Sequence, residues 1–475
     1  MKGKNFSTEI QRTKYVLSDW VMTSVAFFVF NVFRYNVLYS VHGSNLSLEQ
    51  FLRFPVVVAE QILVPLGMMA IYWLSGYYNR PFGKSRLTEF FTTFYSAAAG
   101  ALIIYLSILI HDVLGSKNLD YTLMFGAFII IFGFVYLGRW ILTQLTLKHL
   151  RTHRWIYTTL IVGNSRKSRV IYEKLQRSGS VWCYNVVGFI RLNGEKDASD
   201  SMPVWNFDEI NKVCRDNKVD QIVIAPERNS DQLVMSILDH IFDLNIPVKI
   251  APDTLSFVTA GIRMDDIVGV PMINLTSPRM SEFQKNVKRS FDVIVSILTL
   301  LILSPLLAII AVSVKCSSTG PVIYRQPRVG LRQKPFMIYK FRSMYIDAES
   351  EGPQLSSHDD HRITPIGHLL RKYRLDELPQ FWNVLMGEMS IVGPRPERQF
   401  FIKQIVKKAP YFRLTFQVRP GITSWGMVKF GYASSISDMV SRSRYDLLYL
   451  NNMSLSTDFK IMIYTIKTVF SGEGM

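Results

Sequence analysis

Four long apolar runs separated by short polar segments fill the first third of the chain: Val16 to Phe33, Phe54 to Ser75, Phe94 to Ile110 and Tyr121 to Ile141. Each is close to the roughly 20 residues that carry a helix across the hydrocarbon layer. The pattern predicts a four-helix transmembrane bundle over residues 1–150. From Tyr157 the periodicity changes. Short β-branched runs (YTTLIVGNS, NVVGFI, DQIVIA, VKIAP) alternate with amphipathic segments such as RKSRVIYEKLQRSG and FDEINKVCRDNK, which predicts parallel βαβ units and a Rossmann-like α/β domain over residues 151–280. A strand ending in Gly163-Asn164-Ser165 before a helix stands where such a domain places its phosphate turn. Ser165 and Ser168 replace the further glycines that would let backbone approach a pyrophosphate, so a structural or regulatory role is expected there ahead of nucleotide binding.

A fifth apolar run, Val293 to Val314, is long enough to span, since 314 − 293 + 1 gives 22 residues. Lys285, Lys288 and Arg289 precede it and Lys315, Arg325 and Arg328 follow it, so a straight span would strand one basic cluster outside. Ser304-Pro305 lies at its middle, where proline removes a backbone donor and permits a break. The expectation is a re-entrant membrane helix over 291–314 that enters and leaves by one face, with a kinked fifth span as the alternative.

Charge orients these elements. Lys2, Lys4, Arg12 and Lys14 precede the first span, Arg80, Lys84 and Arg86 lie between the second and third, and Lys148, Arg151 and Arg154 follow the fourth. The positive-inside rule then places both ends of the bundle, and the chain after it, on the cytoplasmic side of the membrane, in a multi-pass arrangement. Asp19 and Asn31 in the first span are expected at its ends or in pairs between helices. The net charge of +17 suits nucleic acid, an anionic membrane surface or a phosphate-rich substrate. The apolar runs favour the latter two, and no nucleic-acid partner is expected. Cys183, Cys214 and Cys316 are far apart, without metal-type spacing, which argues against a disulfide framework or a zinc site. The first apolar run lacks a small-residue cleavage site, so no cleavable leader is expected.

The densest polar, glycine and proline cluster runs from Tyr339 to Gly426. Asp376 and Glu377 precede Leu378-Pro379 and the run QFWNVLMG, which reads as a short helix with proline in its first turn and Gly387 at its exit. An acidic pair there can simply complement the helix dipole. Arg371, Arg374, Arg395 between two prolines, and Arg419 before Pro420 add cations and rigid turns suited to phosphate oxygens.

Together these segments resemble the bacterial sugar transferase family, the monotopic phosphoglycosyl transferases. The resemblance rests on Lys288-Arg289 with Asp292, the Ser304-Pro305 break, Lys340-Phe341-Arg342-Ser343-Met344, Leu375-Asp376-Glu377-Leu378-Pro379-Gln380 and Val392-Gly393-Pro394-Arg395-Pro396, in the family's order. It covers residues 284–475 strongly and the rest by architecture, in which it is similar to the family's longer members. It implies an α/β catalytic domain with a re-entrant helix, a magnesium ion held by Asp376 and Glu377, and transfer of a hexose 1-phosphate from a UDP-sugar donor to undecaprenyl phosphate, releasing UMP through a covalent Asp376 phosphosugar. Such a step starts exopolysaccharide, capsule or O-antigen synthesis. The resemblance gives Lys340, Arg342, Arg371, Arg395 and Arg419 to substrate phosphate or nucleotide, and glucose is the leading sugar, with galactose or an N-acetylhexosamine as alternatives. Many members continue after Arg419-Pro420-Gly421-Ile422-Thr423 with Gly-Trp-Ala-Gln-Val-Asn-Gly-Arg, where this chain has Ser424-Trp425-Gly426-Met427-Val428-Lys429-Phe430-Gly431. That departure touches sugar or nucleotide specificity and leaves the carboxylates in place. A non-catalytic membrane scaffold for glycan assembly is the reading of another class, against which intact Asp376, Glu377 and Arg395 speak. A homodimer through the bundle or the α/β insert is compatible with the sequence.

Overall fold

The computed structural model describes residues 2–42, 47–79, 81, 86–111, 117–151, 157–177, 184–192, 202–227, 231–244, 246–251, 272–275, 280–350, 352–355, 360–431 and 433–471. Arg80, Lys84, Arg154 and Cys183, which the sequence argument used, lie outside the described residues. The chain forms two compact units, one of residues 1–155 with 281–287, the other of residues 156–280 with 288–475.

In the first unit four helices are long and apolar enough to cross a membrane, with spans over Glu9–Leu38, Pro55–Leu74, Arg86–Ser107 and Tyr121–Thr146. Aromatic and aliphatic side chains, among them Phe27, Phe30, Met68, Tyr72, Ile131 and Val135, fill the space between them. Leu63, Leu66, Tyr95, Ile103, Phe125 and Ile129 face outward, as a lipid-facing surface requires. The bundle interior also holds charge. Asp19 takes two hydrogen bonds from Arg139 Nε (3.0 and 3.1 Å), one from Nη2 (2.6 Å) and one from Tyr78 Oη (2.8 Å). The guanidinium lies over the Tyr77 and Tyr72 rings at 3.7 and 4.6 Å. A buried charge of either sign is costly alone and tolerable when paired and saturated with hydrogen bonds. Asn31 pairs between helices too, donating to Gln61 Oε1 at 3.2 Å.

The second unit contains a six-stranded sheet in the order β3-β2-β1-β4-β5-β6. Its strands are β1 (Tyr157–Val162), β2 (Tyr184–Arg191), β3 (Val204–Asn206), β4 (Gln221–Ile224), β5 (Val248–Ile250) and β6 (Ile273–Asn274). All neighbours pair parallel except β5 and β6. Because β1 and β4 are central they are apolar on both faces: Leu160, Val162, Ile222 and Ile224 enter one core, Ile161 and Val223 the other. Gly163, at φ +117°, turns the chain out of β1, and Ser168 Oγ donates to Ala225 O at 2.6 Å across the end of the sheet.

The predicted hairpin is two helices, Glu282–Ile302 and Ser304–Ser317, bent by 64° at Leu303. Pro305 occupies the first turn of the second helix, where its missing donor costs nothing, and Ser304 Oγ donates back to Leu301 O at 2.8 Å. Leu301, Ile302, Ile309 and Val312 are exposed around the bend. The remaining strands are β7 (Ile323–Val329), antiparallel to β8 (Pro335–Phe341), and β9 (Ser390–Val392), parallel to β10 (Gly421–Thr423).

Candidate active site

Three side chains in the helix Glu282–Ile302 fix it to neighbouring elements. Lys288 donates to Asp458 Oδ2 (2.6 Å) and Val392 O (3.0 Å). Arg289 donates to Val384 O (2.7 Å) and Leu385 O (3.0 Å), satisfying carbonyls at the end of the helix Gln380–Met386. Asp292 accepts from Ser390 Oγ (2.7 Å) and Ile391 N (3.3 Å).

The acidic pair sits on a short turn built under constraint. The helix Pro365–Lys372 is capped by Thr364, whose Oγ1 accepts from Gly367 N at 3.1 Å, and carries Arg371 in its last turn. Arg374 then adopts φ +53°, ψ +25°, a left-handed conformation uncommon for a residue with a long side chain. That reversal starts the 3-10 turn Leu375–Glu377, and the helix Gln380–Met386 follows, ended by Gly387 at φ +83°. Asn383 locks this helix to β8, accepting from Tyr339 N (3.1 Å) and donating to Met337 O (2.7 Å).

Asp376 and Glu377 line a cleft of about 420 Å³ with eight arginines, one lysine and two further carboxylates. The two acids are equally buried, each 7% exposed, but differ in their partners. Glu377 faces Lys340 Nζ at 2.7 Å, Arg395 Nη2 at 3.3 Å and Arg374 Nη1 at 3.8 Å. Among the described residues the Asp376 carboxylate has no hydrogen bond or ion pair. Burial alone would raise both acids. For Glu377 that effect is outweighed by Lys340, Arg395 and Arg374, which hold it well below the usual carboxylate range. For Asp376 burial prevails, helped by the charge of Glu377 and opposed by Lys340, Arg371 and Arg395, and its carboxyl is raised. Burial pushes the Lys340 ammonium down, against the pull of Glu377. One carboxylate is neutralised in place and the other is left to meet a ligand.

Of the other residues read from sequence, Lys340, Arg342, Arg371 and Arg395 also line the cleft. Arg371 Nε donates to Ser343 Oγ at 3.0 Å. The Arg342 guanidinium is turned to the end of the helix Ser304–Ser317, donating to Val314 O (3.2 Å), Ser318 O (2.7 Å) and Thr319 O (3.0 Å). Arg419 lies outside the cleft lining, with Nε on Gly387 O at 2.8 Å. The cleft also gathers Tyr324, Gln326, Arg328, Glu397, Met427 and Arg442, to which no motif had given a role. Arg395 Nη1 contacts Met427 Sδ at 3.1 Å. Gly426 is required there: a Cβ on it would lie 2.7 Å from Arg442 Cγ and 2.9 Å from both Arg442 O and Asp446 Oδ1. Asp446 accepts from Gly426 N at 3.0 Å, and its burial raises its carboxyl to about 6. A signal for Glu397 was its place directly after Pro-Arg-Pro. Arg442 lies in an ordinary amphipathic helix, Ile436–Asn451, that carries none.

Four helices long and apolar enough to cross a membrane, and a cleft lined by eight arginines and a lysine, are the marks of a membrane-associated protein with a cationic cleft. Residues 283–472 match the family described as bacterial sugar transferase. The chain is 42% identical over 230 residues to the UDP-N-acetylgalactosamine-undecaprenyl-phosphate N-acetylgalactosaminephosphotransferase of Aeromonas hydrophila, covering 48% of this chain and 54% of that protein. It is 34% identical over 263 residues to the UDP-glucose:undecaprenyl-phosphate glucose-1-phosphate transferase of Escherichia coli K12, covering 55% and 57% respectively. Over 188 residues it is 34% identical to the Caulobacter vibrioides protein of that same description, covering 39% of this chain and 70% of the relative. The chain thus spans little more than half the length of the first two. It belongs to the bacterial sugar transferase family.

Proposed function

We propose that this chain transfers a sugar 1-phosphate from a UDP-sugar to undecaprenyl phosphate, releasing UMP and starting a surface polysaccharide on its lipid carrier. The observation that carries the reading is the unpartnered Asp376 carboxylate beside a Glu377 held by three cations, in a cleft rich in arginine. The activities named for the relatives support the donor and acceptor classes.

In the first half-reaction an Asp376 oxygen attacks the phosphorus that bears the sugar. The bond from that phosphorus to the bridging oxygen breaks, and UMP leaves with the electron pair. Lys340, Arg371 and Arg395 take up charge developing on the phosphoryl oxygens. In the second half a phosphate oxygen of undecaprenyl phosphate attacks the same phosphorus, and the Asp376 carboxylate is freed. Glu377 keeps Lys340, Arg374 and Arg395 in place throughout. Magnesium belongs to this reading, with Asp376 and Glu377 as the protein oxygens that would hold it. Such an ion would complete its shell with substrate phosphates and water. When bound, it neutralises diphosphate charge.

The reading includes a Rossmann-like insert over 151–280 between a bundle over 1–150 and a catalytic domain over 284–475. The 64° bend supports a re-entrant helix, and the basic flanks support a cytoplasmic catalytic face. Glucose is the leading sugar by the family resemblance. N-acetylgalactosamine is a second reading, supported by 42% identity to a transferase of that sugar against 34% to a glucose one. The test is UMP release by nanodisc-embedded protein given magnesium, undecaprenyl phosphate and a panel of UDP-sugars. Release with one donor, lost in Asp376→Asn, supports the reading and names the sugar. Silence with every donor overturns it in favour of a scaffold.

A further inference from the structure

A second cluster lines the cleft and takes no part in the chemistry above. Tyr324, Gln326 and Arg328 alternate along β7, so their side chains share one face of the strand. Gln326 Nε2 donates to Tyr324 Oη at 2.9 Å, and Arg328 Nη2 donates to Gln326 Oε1 at 2.8 Å. Arg328 Nη1 lies 3.6 Å from Glu397 Oε2, while Arg442 Nη2 donates to Glu397 Oε1 at 2.5 Å. Donors and acceptors therefore alternate from Tyr324 to Arg442. Arg328 also keeps one buried donor, Nε, without a hydrogen-bond partner among the described residues.

This chemistry differs from that around Glu377. A phosphate would meet the Glu397 carboxylate, a like charge that is 5% exposed and cannot turn away into solvent. Uracil, with one N3–H donor between two carbonyl acceptors, would complement only Glu397 and its flanking arginines and leave Tyr324 and Gln326 unused. A ring carrying neighbouring hydroxyls fits, because each hydroxyl both donates and accepts and can bridge successive members of the array. The chain has made room for the array, since the absent Cβ of Gly426 is what lets Arg442 pass so close.

We propose that Tyr324, Gln326, Arg328, Glu397 and Arg442 read the hydroxyl groups of a sugar ring of the donor, with Gln326 and Glu397 determining specificity. The inference rests on the transferase reading and names its recognition site. Two rings present this chemistry, the transferred hexose and the ribose.

The test is calorimetric binding of UDP-glucose, UDP-galactose, their two N-acetyl counterparts, UMP and 2′-deoxy-UMP to full-length Asp376→Asn protein, which leaves the donor intact. Binding is compared after adding Tyr324→Phe, Gln326→Leu or Glu397→Gln. Loss of a hydrogen bond to a buried polar partner lowers affinity about tenfold or more. Hexose recognition predicts such a loss for the preferred donor, narrowed discrimination among the four sugars and unchanged UMP binding. Ribose recognition predicts equal losses for UMP and every donor, and a smaller loss for 2′-deoxy-UMP, which keeps only the 3′-hydroxyl. Tyr324 is partly exposed, so Tyr324→Phe keeps the test valid if Glu397→Gln fails to fold. Folded variants that bind every probe as their parent does, or a parent that binds neither UDP-sugar nor UMP, overturn the inference. Donor binding without UMP release by the wild-type protein overturns the transferase reading alone.

Discussion

Lys340 Nζ lies 2.7 Å from Glu377 Oε1, so the cation near the end of β8 is bonded to the second of two consecutive carboxylates. The 3-10 turn separates them, because successive side chains diverge by about a third of a turn there. Glu377 is turned among the cations and Asp376 is left uncommitted.

Asp376→Asn is expected to abolish UMP release even without acceptor lipid, because the amide is no phosphorus nucleophile. The wild-type protein given donor alone should gain the mass of one phosphosugar. Stopped-flow UMP detection and intact-protein mass spectrometry check both, and retained UMP release would remove Asp376 from that role.

Lys340→Met removes the cation that most lowers both acids. Asp376, already raised by burial, should rise further, and the attacking form is the ionised one. The acid limb of kcat/KM for UMP release, expected above the ordinary carboxylate range, should therefore move to higher pH in the variant. An unmoved limb in a folded variant would assign it to another group.

Asp19→Leu or Arg139→Leu leaves an unpaired charge inside the bundle, and each should cost about 3–5 kcal/mol of stability. The double variant should recover much of that loss. Thermal unfolding in detergent gives the comparison, and equal losses in single and double variants would argue against the pair.

Labelling at Cys316, which is exposed in the last turn of the helix Ser304–Ser317, tests the bend. In Cys183→Ser, Cys214→Ala protein, Cys316 and a cysteine placed at Lys285 should react from the same side of sealed vesicles. Pro305→Ala should weaken the break and let part of the population label from opposite sides. Opposite-side labelling before that substitution would establish a fifth span.

The four spans and the strands β1, β2, β4 and β5 were legible because burial on both sides demands continuous apolar or β-branched runs. β3 and β6, three and two residues long, are too short to carry a period and exist because a neighbour offers an edge. Arg139 was missed because one charge barely dents a long apolar window, and its cost is met by Asp19, 120 residues away. Asp376, Glu377, Lys340 and Arg395 stood out by clustering in sequence. Glu397 with Arg442 could not, since their contact joins positions 45 apart. Arg342 lines the cleft as well, but its position within a motif says nothing of the carbonyls that its Nη1 and Nη2 meet.

The space above Gly426 also constrains how this chain could change. Alanine, the residue many relatives carry there, would overlap Arg442 Cγ and the carbonyl behind it. Moving the backbone would disturb Asp446, which holds the amide of residue 426. Truncating Arg442 would relieve only the side-chain part of the overlap, so adjustment along the helix Ile436–Asn451 would have to come with it. Positions 426 and 442 are therefore coupled by packing. A side chain added at 426 alone meets a crowded site, and one added together with a smaller residue at 442 should be tolerated better.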